Sequence, residues 1–100
     1  MPEPELMPRD VVLSVGTSPI EVSAETSRQR QILVIVNTSL GGQNIAIAWG
    51  KDAVAGSGLV LKASAVWTET IDSTYRPSNL RITACSDAAG GTLAVHERSG

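Results

Sequence analysis

Between Val11 and Glu97, eight short β-type stretches are separated by clusters of Gly, Ser, Asn, Asp and Pro. No stretch has apolar residues at helical spacing, so the pattern excludes a helical domain and predicts strands joined by turns. Val11-Val12-Leu13-Ser14-Val15 sets Val11, Leu13 and Val15 on one face, and Gly16-Thr17-Ser18-Pro19 ends it. Residues 20–23 alternate again. Residues 24–30 are polar, with room for a helical turn but no apolar stripe. Gln31 to Asn37 encloses the unbroken apolar run 32–36, which predicts a central strand buried on both faces.

Beyond the Gly41-Gly42 reversal, Ile45, Ile47 and Trp49 share one strand face, and the small Ala46 and Ala48 share the other. A face of small side chains lets another sheet or chain approach closely. Residues 50–58 read as a long loop, 59–61 and 65–69 as strands, and 72–78 as a second long polar loop. Residues 80–84 follow with Leu80, Ile82 and Ala84 inward, and Asp87-Ala88-Ala89-Gly90-Gly91 turns the chain into a last strand at 92–97. The fold expectation is all-β: an antiparallel β-sandwich or small jelly roll of about eight short strands. So many strands in so short a chain leave exposed edges, which favours oligomers that cover them.

At 100 residues, 42% of them hydrophobic and 18% charged, the chain suits a single folded domain over residues 11–100. Residues 1–10 contain three of the five prolines and read as a flexible or strand-like arm. Pro2, Pro4, Leu6 and Pro8 are its candidate contacts with a neighbouring subunit. The acidic, proline-rich start has no basic segment or apolar stretch of a secretory signal, and the longest apolar run is too short to span a membrane. The expectation is a chain made and kept in a cytoplasm, or in a particle assembled there. A net charge of −2 and only three aromatic residues argue against nucleic acid as the main partner.

Candidate chemistry is sparse. One Cys and one His leave neither a disulfide framework nor a multi-His metal site, and no cofactor is expected. His96 falls opposite Leu93 and Val95 and reads as a solvent-facing strand histidine, while Cys85 reads as a half-buried structural thiol. Gly56-Ser57-Gly58 lacks the Lys-Ser/Thr and helix start of a phosphate loop. Asn37-Thr38-Ser39 reads as turn chemistry. Arg28 and Arg30 point the same way in an extended segment, where they grip a carboxylate or phosphate or else mark the solvated start of a strand. Trp49 and Trp67 suit the core or a subunit interface better than a sugar platform. Tyr75 and Arg76, in the second polar loop, are the best local candidates for a surface contact.

The order of these pieces carries a resemblance. Arg30-Gln31-Ile32-Leu33-Val34-Ile35-Val36-Asn37 leads through a Gly-containing turn to Ile45-Ala46-Ile47-Ala48-Trp49-Gly50. Gly58-Leu59-Val60-Leu61, Trp67-Thr68-Glu69, Leu80-Arg81-Ile82-Thr83-Ala84 and Thr92-Leu93-Ala94-Val95-His96-Glu97 follow. The pattern, over residues 11–97, resembles small β-sandwich structural proteins of tailed bacteriophages, the capsid decoration (cement) type among them. It departs from them at Lys62-Ala63-Ser64-Ala65, where the resemblance implies a Pro-Gly or Gly-Gly turn. The resemblance implies a non-enzymatic, often trimeric module in the virion. Its partner is the major capsid protein, which it binds on the outer shell surface, bridging subunits. The alternative expectation is a carbohydrate- or receptor-binding or structural module of a tail fibre or baseplate.

Overall fold

The computed structural model describes residues 7–26, 29–72 and 77–99. They form β1 (Met7–Val15), β2 (Ile20–Ser23), β3 (Arg30–Asn37), β4 (Ile45–Trp49), β5 (Leu59–Leu61), β6 (Val66–Thr70), β7 (Ile82–Ser86) and β8 (Gly91–Ser99). No helix occurs among the described residues, and residues 24–26 and 29 are irregular. Two four-stranded sheets run in the orders β1-β8-β3-β6 and β2-β7-β4-β5, every pairing antiparallel. The first strand pairs with the last, the second with the seventh, the third with the sixth and the fourth with the fifth. This nested order is that of an eight-stranded jelly roll, the finer of the two folds expected from the sequence.

Period-two alternation supplies the core. Val15, Val22, Leu33, Ile35, Ile45, Ile47, Leu61, Ile82, Ala84, Leu93 and Val95 interlock between the sheets. Trp49 and Trp67 pack against this cluster edge to face, with ring centroids 6.3 Å apart. In a chain without Phe, the two indoles fill the wide border of the core. Asn37 ties the strands to their turns. Its Nδ2 donates to Gln43 O and Leu61 O, both at 2.8 Å, and its Oδ1 accepts from Ser39 N–H at 3.0 Å. Ser64 takes the left-handed conformation (φ 72°) at the point where the resemblance implies a glycine turn.

Several expectations need correction. β1 starts at Met7, so residues 7–10 of the anticipated arm pair with His96–Ser99 of the same chain. Pro8 is tolerated there because β1 is an edge strand. β3 is not buried on both faces: Leu33, Ile35 and Asn37 point inward, whereas Ile32, Val34 and Val36 stay half-exposed on the outer face. Leu80 is 46% exposed and precedes β7 rather than pointing into the core. Cys85 is buried, not half-buried. It lies with Ala46, Ala48 and Ala53 in a second, small apolar cluster. The alanine face of β4 is therefore covered by the chain's own loop. Thr83 Oγ1 pins that loop, accepting from Ala53 N–H at 2.9 Å and donating to Lys51 O at 2.7 Å.

Candidate functional site

The outer face of the β1-β8-β3-β6 sheet is the part of this surface best built for contact. Strand register aligns Val12 with Ala94, Ala94 with Val36, and Val36 with Val66, one apolar row across all four strands. Val12 and Val66 are 73% and 56% exposed. The adjoining row places Asp10 beside His96, His96 beside Val34 and Val34 beside Thr68. Asp10, Val12, Val34, Val36, Ala94 and His96 of these rows line a shallow groove of about 260 Å³. One end of it is charged: Asp10 contacts His96 Nδ1 and accepts from Arg98 Nη1 at 3.2 Å. His96 faces solvent opposite Leu93 and Val95, as its strand position requires.

The inner face at the same end is polar instead. Arg30 is 1% exposed, and its guanidinium makes five bonds: Nε to Glu97 Oε2, Nη1 to Ser78 O and Leu80 O, and Nη2 to Ser23 Oγ and Ala24 O. All five N–H groups are thus used. Glu97 also accepts from Arg9 at 2.6 Å and from Ser23 Oγ at 3.1 Å. Arg30 does grip a carboxylate, but an internal one. The carboxylate-gripping reading therefore holds with Glu97 of the same chain as partner, and the solvated strand start does not, since Arg30 is buried. A local pattern cannot reveal a partner near the other end of the chain.

Glu69 is a second buried carboxyl that the sequence did not single out. It sits on the inner face of β6, 7% exposed, with Oε1 lacking a hydrogen-bond partner among the described residues. Desolvation by burial pushes its pKa above the ordinary 4.5. The side-chain hydrogen bond of Trp67 and the charge of Arg30 pull it down by less. A signal existed in principle: strand alternation puts residue 69 on the same face as Trp67.

Of the other sequence candidates, Pro8 lies in β1 opposite Arg98. Pro2, Pro4, Leu6, Arg28, Tyr75 and Arg76 fall outside the described residues. Trp49 and Trp67 are half-buried against the core, and the Trp49 Nε1 atom is enclosed without an acceptor among the described residues. No group of three or more His, Cys, Asp or Glu side chains is arranged to hold a metal among the described residues. The sequence matches no known protein-family pattern and no curated protein.

Proposed function

We propose that this chain is a non-enzymatic structural protein of a tailed-phage virion, a capsid decoration protein that binds the outer shell and bridges major capsid subunits. The observation that carries the reading is the apolar row Val12–Ala94–Val36–Val66, open to solvent on one sheet face and bordered by Asp10, His96 and Arg98. An exposed apolar patch with a charged rim is the usual signature of a protein-binding surface. The row crosses three strand spacings, about 14 Å. That is small beside the roughly 800 Å² per partner of a stable pair. It suits a weak contact repeated over a symmetric lattice, where many such contacts sum to a large resistance to internal pressure. The jelly-roll order adds an argument by analogy, since viral capsid domains use this architecture among others.

Quantitative mass spectrometry of purified particles tests the reading. Hundreds of copies per particle, in simple ratio to the major capsid protein, are expected. A handful to a few dozen moves the protein to a tail or vertex, and absence from particles overturns the proposal.

A further inference from the structure

At the end of the sandwich that holds Trp49, β4 extends beyond its neighbour. β5 pairs with β4 only at Ile45, Ala46 and Ile47, whereas β7 continues along Ala48 and Trp49. Gly50 N–H donates to Arg81 O at 2.7 Å, and Asn44 O accepts from Asp87 N–H at 3.0 Å. The even-numbered residues here therefore direct their backbone groups toward β7. By the alternation of an antiparallel ladder, Ile45, Ile47 and Trp49 direct theirs toward β5. At Ile45 and Ile47 these groups meet Leu61 and Leu59. At Trp49 the ladder has ended, because Gly58 (φ 76°) turns the chain away and Ser57 N–H bonds to Val54 O instead.

The backbone N–H and C=O of Trp49 thus face a cleft of about 370 Å³ with no backbone partner among the described residues. Lys51, Asp52, Val54, Ser57 and Leu59 line it with Trp49. Asp52 is paired with Arg81 at 3.0 Å, and Lys51 has no ion pair among the described residues. The uncompensated charge at the cleft is positive. An occupant that continues the β4 ladder is an extended peptide, and the charge favours an acidic one.

We propose that the cleft takes residues 2–5 of a second copy of this chain, Pro2-Glu3-Pro4-Glu5, as an added strand. In an extended segment, alternate residues turn their backbone groups to the same edge. Glu3 and Glu5 present complete N–H and C=O pairs to one edge, and the donor-less Pro2 and Pro4 fall on the other. Such a segment adds to a ladder and blocks further growth. Its two carboxylates share a face from which to meet Lys51. The molecule's own segment is too close to its anchor to serve. Trp67 against Trp49 sets β6 over the β4–β5 side, while β1 borders the opposite side of its sheet, three strand spacings or about 14 Å away. Glu5, two residues before Met7, reaches about 7 Å, and Glu3 about 14 Å, with nothing left to lie along β4. This inference does not rest on the proposed virion role.

Sedimentation of the full chain against its full-length Glu3→Pro/Glu5→Pro variant, which lacks those N–H donors, is the test. The native chain is expected to self-associate as concentration rises, and the variant to remain monomeric. Titrating the peptide Met-Pro-Glu-Pro-Glu-Leu into the ¹⁵N-labelled variant is expected to shift the Trp49 backbone amide. The exposed substitution Lys51→Glu, added to the variant, is expected to weaken peptide binding about two- to fivefold. Equal association of the two chains, association of neither, or a Trp49 amide that the peptide leaves unmoved overturns the proposal. None of these readouts depends on the copy number in particles.

Discussion

Arg30 and Glu97, 67 residues apart in sequence, meet inside the sandwich with Nε 3.0 Å from Oε2. Around this pair converge the start of β3, the end of β8, the residues after β2 and the residues before β7. One guanidinium thereby fastens both sheets and two connections at the end of the molecule where the apolar core runs out. Arg suits the position because its planar fork reaches acceptors in several directions, which an ammonium cannot match.

Replacing Arg30 by Ala leaves Glu97 with Arg9 and Ser23 alone and strips partners from the carbonyls of Ala24, Ser78 and Leu80. Urea denaturation is expected to show a loss of about 3–5 kcal/mol, the range for breaking a buried ion pair from one side. Arg30→Lys keeps the charge with fewer donors and is expected to fall between the two. Equal stability of Arg30→Ala and the native protein contradicts the clamp.

Glu69 gives stability a pH dependence of defined sign. Burial raises its pKa on folding, so the folded state holds a proton that the unfolded state has already released. Its contribution is complete below the ordinary value of 4.5 and is lost as pH rises through the higher folded value. Glu69→Gln is expected to have a higher urea midpoint than the native protein at pH 7. The difference should vanish below pH 4.5. A gap that persists in acid points to packing rather than to titration.

Asn37 is expected to resist substitution although it is polar. Asn37→Ala leaves Gln43 O, Leu61 O and Ser39 N–H without their partner. A loss of about 2–3 kcal/mol follows, and thermal unfolding measures it. Asn37→Asp is also expected to destabilise, since both carbonyls then face an acceptor.

Ala46→Leu tests the small cluster under the Thr83-pinned loop. Added volume has nowhere to go between Ala53, Cys85 and Val60. A loss of about 1–3 kcal/mol is expected, with faster proteolysis within residues 50–58.

Val12→Lys separates binding from folding. At 73% exposure the substitution is expected to change stability by less than about 0.5 kcal/mol. Co-sedimentation with isolated shells is expected to drop sharply, because a charge then interrupts the apolar row. Unchanged co-sedimentation removes this face from the proposed contact.

The strand pattern was legible because alternation is a local property. Val11, Leu13 and Val15, or Ile45, Ile47 and Trp49, announce their inner face within a few residues. What failed was non-local. Pro8 was assigned to a flexible or strand-like arm apart from the domain, but an edge strand of the domain itself tolerates it. The run 32–36 looked doubly buried, yet only one of its faces meets another layer. Leu80 satisfied the alternation and still fell outside, since β7 begins only at Ile82 and the Leu80 carbonyl is taken by the Arg30 guanidinium. Arg30 was singled out for the right chemistry and the wrong partner. Ala46 and Ala48 were correctly read as a close-approach face, with the chain's own loop, not a second molecule, as the visitor.

The nested pairing of β1 with β8 also sets a timetable. β8 lies between β1 and β3, so the sheet that carries the apolar row has no centre until the last strand is available. β1 pairs along its whole length with β8, residues 7–15 against 91–99. During synthesis, β1 and β3 wait for a partner that emerges after all the other strands, and the sheet completes itself only once β8 is free to pair. A chain shortened by its final ten residues is therefore expected to lose the whole sheet rather than one edge of it.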